Sequence, residues 1–115
     1  MKGLTLHEQP LSDGWMSLAV EGEIDLATVD ELQKAINGIA DNGGQHLVID
    51  LTGSSFMDST GLKALVMASR RFDEEGRSFA IAVSGGPVSR LIDLSGVNTS
   101  IRIVDRAEDA VSGAG

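Results

Sequence analysis

Two short, nearly uninterrupted apolar runs dominate this chain: Leu47-Val48-Ile49-Asp50-Leu51 and Phe79-Ala80-Ile81-Ala82-Val83. Runs of this kind read as strands covered on both faces, the situation of parallel sheets. Parallel neighbours need a crossover, and Thr60 to Glu75 lies between the two runs with helical spacing. In that segment Leu62, Leu65, Val66, Ser69 and Phe72 are expected to face inward, with Gly76 as the stop. The crossover should be right-handed.

The rest of the chain extends the pattern. Leu4 to Gln9 and Trp15 to Ile24 read as strands joined through the turn-rich Pro10-Leu11-Ser12-Asp13-Gly14, hence an antiparallel pair. Met16, Leu18 and Val20 alternate with Ser17, Ala19 and Glu21, so one face meets a core. Thr28 to Ala40 carries Val29, Leu32, Ile36 and Ile39 on one helical stripe, and Thr28 with Glu31 has the spacing of a capping box. Pro87 suits the first turn of a helix running to Leu94 and closed by Gly96. Ile101 to Val104 gives a last strand, and Asp105 with Glu108 opens a terminal helix. The expected order is β-β-α-β-α-β-α-β-α: an α/β fold with a mostly parallel central sheet, one antiparallel hairpin strand and about four helices. One domain is expected over residues 1–115, with its core at about 4–111 and a frayed tail from Ser112 to Gly115.

Composition narrows the function. Cysteine is absent, which removes thiol chemistry and disulfides. Seventeen acids against nine bases give a formal net charge of −8, which argues against nucleic-acid binding, as does the scarcity of aromatic residues. No stretch suits a signal peptide or a membrane span, so a cytoplasmic protein without membrane insertion is expected.

Chemical information concentrates in Asp50 to Leu62, which leaves a buried strand at its carboxyl end and enters a helix. Ligands and partners usually meet open α/β sheets at that end. Ser59, at or beside the N-cap, has two readings: a hydroxyl that caps the helix, worth about 1 kcal/mol and a role Asp58 could fill as well, or a modified or catalytic serine. Gly61 within the first turn weakens a helix by roughly 0.5–1 kcal/mol relative to alanine, which suggests a close approach to the backbone there.

Three enzymatic readings fit poorly. Asp58 is separated from Gly61 by two residues, where the signature of aspartic proteases, Asp-Ser/Thr-Gly, has one, and the chain is too short for their second lobe. A serine nucleophile needs a base within reach, and neither His7 nor His46 is placed to serve; nor can they build a metal site. A receiver-like phosphoacceptor on Asp50 would need an acidic pair and a late lysine that this sequence lacks. Ser84-Gly85-Gly86-Pro87 reads as a tight turn rather than a phosphate loop. No catalytic residue and no cofactor are expected.

With these residues in view, the chain resembles the STAS-domain family, and within it the bacterial anti-sigma factor antagonists. The likeness runs from Leu4 to Val111. It rests on Gly22-Glu23-Ile24-Asp25-Leu26-Ala27-Thr28, on Val48-Ile49-Asp50-Leu51 and on Phe56-Met57-Asp58-Ser59-Thr60-Gly61-Leu62. Weaker support comes from Val88 to Gly96 and from Ala107-Glu108-Asp109-Ala110. The resemblance implies partner switching. The unmodified antagonist binds an anti-sigma factor with serine kinase activity and frees the sigma factor; phosphorylation ends that binding, and a metal-dependent serine phosphatase restores it. Ser59 is then the phosphoacceptor. Asp25, Asp58, Ser59, Thr60, Gly61 and Leu62 form the partner-binding segment, and Thr60 is a less favoured second acceptor.

The physics of such a switch is simple. A phosphate adds about −1.5 to −2 charge. Two like charges about 5 Å apart near a surface repel by roughly 3 kcal/mol before screening, whereas a helix start favours an anion by about 0.3–1 kcal/mol. Modification should therefore act at an interface rather than by unfolding. Two alternatives stand beside this one. The chain could be a STAS accessory subunit docking on a transporter ATPase or a stressosome-like scaffold, with Ser59 as a cap, or the domain could bind a nucleotide itself.

Overall fold

The computed structural model describes residues 3–112. The strands are β1 (Thr5–Pro10), β2 (Trp15–Ile24), β3 (His46–Asp50), β4 (Ser54–Met57), β5 (Phe79–Ala82) and β6 (Arg102–Val104). The helices are α1 (Val29–Asp41), α2 (Ser59–Glu74), α3 (Gly86–Ser95) and α4 (Ala107–Ser112), with a 3-10 turn at Val97–Thr99. Beyond Ser112, the tail expected to fray lies outside the described residues.

The sheet runs β1-β2-β3-β5-β6. β1 pairs antiparallel with β2, and the β2–β3, β3–β5 and β5–β6 pairs are parallel. The mixed sheet with a single antiparallel hairpin strand is thus the one the sequence predicts. Its two faces are covered unequally. Leu47, Ile49 and Ile81 point into a core with Leu32 and Ile36 of α1, Leu65 and Phe72 of α2, and Val88 and Ile92 of α3. Val48, Ala80 and Ala82 point the other way, onto Trp15 and onto Ala107 and Ala110 of α4. Small residues on that second face leave room for α4 to lie close.

The structure corrects the reading in four places. β4 appears where a loop was expected. Gly22, Glu23 and Ile24 of β2 pair in parallel with Ser54, Phe56 and Met57, past a register shift. β3 and β4 therefore share one edge of the long β2, separated by the turn at Leu51–Gly53. The inward face of α2 is Gly61, Ala64, Leu65, Ala68 and Phe72, while Leu62, Val66 and Ser69 are only partly buried. The capping box at α1 does not form. Thr28 Oγ1 donates to the Glu23 carbonyl at 2.8 Å and accepts from the Asp25 N–H at 3.0 Å, while Glu31 accepts from the Leu4 N–H at 3.1 Å. Strand bounds also shift by a residue: β1 to Thr5–Pro10, β3 to His46–Asp50, β5 to an end at Ala82 and β6 to a start at Arg102.

Gly76 stops α2 as expected, in a left-handed conformation with φ of 71°. The Arg77 N–H returns to the Phe72 carbonyl at 2.8 Å and the Gly76 N–H to Asp73 at 3.0 Å, which closes the helix end. The Arg77 side chain, unremarked in the sequence, then reaches under the fold. Its guanidinium donates to the carbonyls of Gln45 at 2.6 Å and Ala40 at 2.9 Å, pairs with Glu75 at 2.8 Å, and lies 4.3 Å from the centre of the Phe72 ring. It satisfies carbonyls left open where α1 ends.

Candidate functional site

The Asp50–Leu62 segment carries the chain from the middle of the sheet to the head of α2. Asp50 Oδ1 accepts from the Thr52 N–H at 3.0 Å and its hydroxyl at 2.6 Å, so this carboxylate builds the turn before β4. β4 ends at Met57, and the Asp58 N–H donates to the Ile24 carbonyl at 3.1 Å. That bond joins the carboxyl ends of β2 and β4, and brings the Asp25 loop beside the start of α2.

Asp58 is the N-cap of α2, with extended backbone at φ −104° and ψ −172°. Its Oδ1 accepts from the Thr60 N–H at 2.9 Å, from the Gly61 N–H at 3.4 Å and from the Thr60 hydroxyl. These bonds, that of the Thr60 hydroxyl foremost, hold the carboxyl below the usual carboxylate range against the opposing effect of burial. The capping role weighed for Ser59 therefore belongs to Asp58. Ser59 occupies the first helical position and is exposed, and among the described residues its hydroxyl has no hydrogen-bond partner. Thr60 is half-buried with its hydroxyl engaged by Asp58, which makes it the poorer acceptor for a modifying group.

Gly61 is buried, and the close approach at this point is internal. A β-carbon there would sit 2.6 Å from Met57 Cγ and 2.7 Å from Ile24 Cγ2. The glycine lets α2 settle onto β2 and β4, which fixes where Ser59 emerges. Leu62, half-buried, packs against the main core. Asp25 is half-buried, and its Oδ1 accepts from the N–H groups of Ala27 at 3.0 Å and Thr28 at 3.2 Å, so it shapes the loop into α1. The structure thus gathers all six predicted residues at one end of the sheet.

Sequence reasoning missed the apolar residues exposed near this end: Leu26, 77% exposed, in the Asp25 loop, and Phe56, 44% exposed, on β4 beside Glu23. The signal for Phe56 was its alternation with buried Met57. A hollow of about 410 Å³, lined by Glu21, Glu23, Asp25, Thr28 and Ser55, opens beside the loop. The larger groove, about 810 Å³, lies at the opposite end of the sheet among Trp15, Arg70, Arg77, Phe79 and Arg102. Arg77 and Arg102 there donate to main-chain carbonyls, which makes them part of the framework. His46 is at that end too: its Nδ1 accepts from the Ser78 N–H at 2.9 Å, and its ring stands 5.3 Å from that of Trp15. His7 lies on β1 opposite Ala19. No helix among the described residues is long and apolar enough to cross a membrane.

Comparison with known proteins gives a consistent result. The STAS domain model matches residues 8–110. The anti-sigma-F factor antagonist RsfB of Mycobacterium tuberculosis is 33% identical over 101 residues, covering 88% of this chain and 82% of RsfB. A crystal structure of an anti-sigma factor antagonist from Mycobacterium paratuberculosis superposes with a TM-score of 0.87 at 29% identity, over 96% of this chain and 92% of that one. The phosphorylated form of the Bacillus cell fate determinant SpoIIAA shares the fold, with a TM-score of 0.71 at 17% identity, over 96% of this chain and all of that one (100%).

Proposed function

This chain belongs to the STAS-domain family, and from that premise we propose that it is an anti-sigma factor antagonist switched by phosphorylation of Ser59. In its unmodified form the Asp25 loop and the head of α2 bind an anti-sigma factor that is also a serine kinase, in the cytoplasm, and the sigma factor is released. The chain is the substrate of that chemistry and not its catalyst. In the modifying step the Ser59 oxygen takes the γ-phosphoryl group of ATP. A new O–P bond forms as the β–γ bond breaks, the hydroxyl proton passes to a base of the kinase, and ADP leaves. A metal-dependent phosphatase returns the serine by hydrolysis.

The observation that carries this reading is the division of labour between neighbours: Asp58 caps α2 while the Ser59 hydroxyl stands exposed and unbonded among the described residues. A group attached to Ser59 thus disturbs no internal hydrogen bond. It adds a dianion next to a carboxylate already held ionised. The repulsion falls on whatever surface docks there, in company with the exposed Leu26 and Phe56.

Titration calorimetry of Ser59→Ala and Ser59→Asp against the cognate anti-sigma kinase tests the switch. The alanine variant is expected to bind like the unmodified chain and the aspartate variant at least tenfold more weakly. Equal affinity of the two rejects it.

A further inference from the structure

α2 is continuous from Ser59 to Glu74, so Lys63 lies one turn beyond Ser59, at i,i+4 on the same helix face. Both residues are exposed. Among the described residues Lys63 makes no hydrogen bond or ion pair, whereas Arg71, Arg77 and Arg106 are each paired with a carboxylate. An anion placed N-terminal to a lysine at this spacing is the favourable order for a helical ion pair.

The surroundings give such a pair a purpose. The second ionisation of a serine phosphate falls near pH 6 or so, and neighbouring anions push it upward. Asp58 stands one residue away, fixed as an ionised cap by the Thr60 and Gly61 donors. The end of β2 leads into the Asp25 loop, and the Asp58 N–H bond to Ile24 holds that loop beside the head of α2. α3, which packs on β4, carries one charge of each sign in Arg90 and Asp93. Against the pull of the helix start on an anion, these groups raise the pH at which a phosphate on Ser59 loses its second proton, and a monoanion makes a weaker block.

Resting on the reading of Ser59 as phosphoacceptor, we infer that Lys63 is the counter-cation of that phosphate, pairing with it along α2 and keeping it doubly charged at neutral pH. Lys63 is thereby a positioning residue for the off state. It draws the phosphate back along the helix while Asp58 continues to cap.

Phosphoserine encoded genetically at position 59 needs no kinase, so a titration followed by phosphorus NMR reads Lys63 alone. The midpoint of the second ionisation is expected to rise by about 0.3 of a pH unit in Lys63→Ala, the size of an exposed i,i+4 ion pair. Lys63→Arg should restore it, and Lys63→Glu should raise it further. A loss of helix or of folding would alter the circular dichroism of these variants, which is expected to match the parent. Midpoints that coincide in the parent, alanine and glutamate proteins overturn the assignment. Failure of the switch itself shows separately, as equal affinities in the calorimetry of Ser59→Ala and Ser59→Asp.

Discussion

Replacing Gly61 with alanine adds one methyl group at the place where α2 meets the ends of β2 and β4. That carbon would lie 2.6 Å from Met57 Cγ, 2.7 Å from Ile24 Cγ2 and 3.1 Å from Met57 Sδ, all far inside contact distance. Met57 can yield by rotating. Ile24 is fully buried and branched at its β-carbon, so its χ1 is stiff and its methyl group has nowhere to go. An overpacked core contact costs about 1–3 kcal/mol, and alanine returns roughly 0.5–1 kcal/mol of helix propensity. The net expectation is a loss of about 0.5–2 kcal/mol, or a melting temperature lower by roughly 2–8 °C for a domain of this size. Urea unfolding followed by far-ultraviolet circular dichroism and by the single tryptophan, Trp15, measures it. An unchanged slope would place the effect on stability alone. Because the same contact sets where Ser59 emerges, the variant should also bind its partner less well than its folded fraction accounts for. A Gly61→Ala protein as stable as the parent, or more so, would refute the reasoning: the glycine would then not be demanded by close packing.

Two further changes probe the supports around this site. Asp58→Asn keeps a capping oxygen but loses the charge, so its cost reports on ionisation. The folded carboxyl has a lowered pKa, which means its contribution is fully present above the unfolded value, near 4 or so, and fades as pH falls through the folded one. The parent should therefore be the more stable protein at pH 7, with the gap closing in acid; a gap constant from pH 7 to pH 3 contradicts this. Arg77→Ala strands the carbonyls of Gln45 and Ala40 and removes the cation over Phe72. It should cost about 2–4 kcal/mol in chemical denaturation, and Arg77→Lys should recover only part of that, since a lysine cannot reach both carbonyls with a planar fork.

The parts of this fold legible in the sequence are those written as long-range hydrophobic pattern. β3 and β5 were plain because Leu47, Val48, Ile49 and Ile81 must all be buried, and only a sheet covered on both faces does that. β4 was not legible. Ser54 and Ser55 follow Thr52-Gly53 and read as turn, and the strand exists because Gly22 to Ile24 offer a partner from thirty or so residues back in the chain. The inward face of α2 was misjudged for a related reason. Gly61, Ala64 and Ala68 have no bulk to announce burial, yet close approach to the sheet requires small residues there. The box at Thr28 had the right letters, but Oγ1 found a nearer carbonyl on Glu23. At the candidate site, the sequence located the segment and the six residues. Which of Asp58 and Ser59 caps the helix was a matter of geometry.

The unequal clothing of the sheet has a consequence for how the molecule breathes. Three helices seal one side with large side chains, while the other depends on six residues from Ala107 to Ser112, held by two buried alanines and by the Arg102 guanidinium on the carbonyls of Asp109 and Ala110. So thin a cover has little apolar area to lose. Its detachment costs less apolar burial than that of any of the three larger helices, and it would bare the tryptophan side of the sheet while the head of α2, on the far side of the strands, keeps its shape.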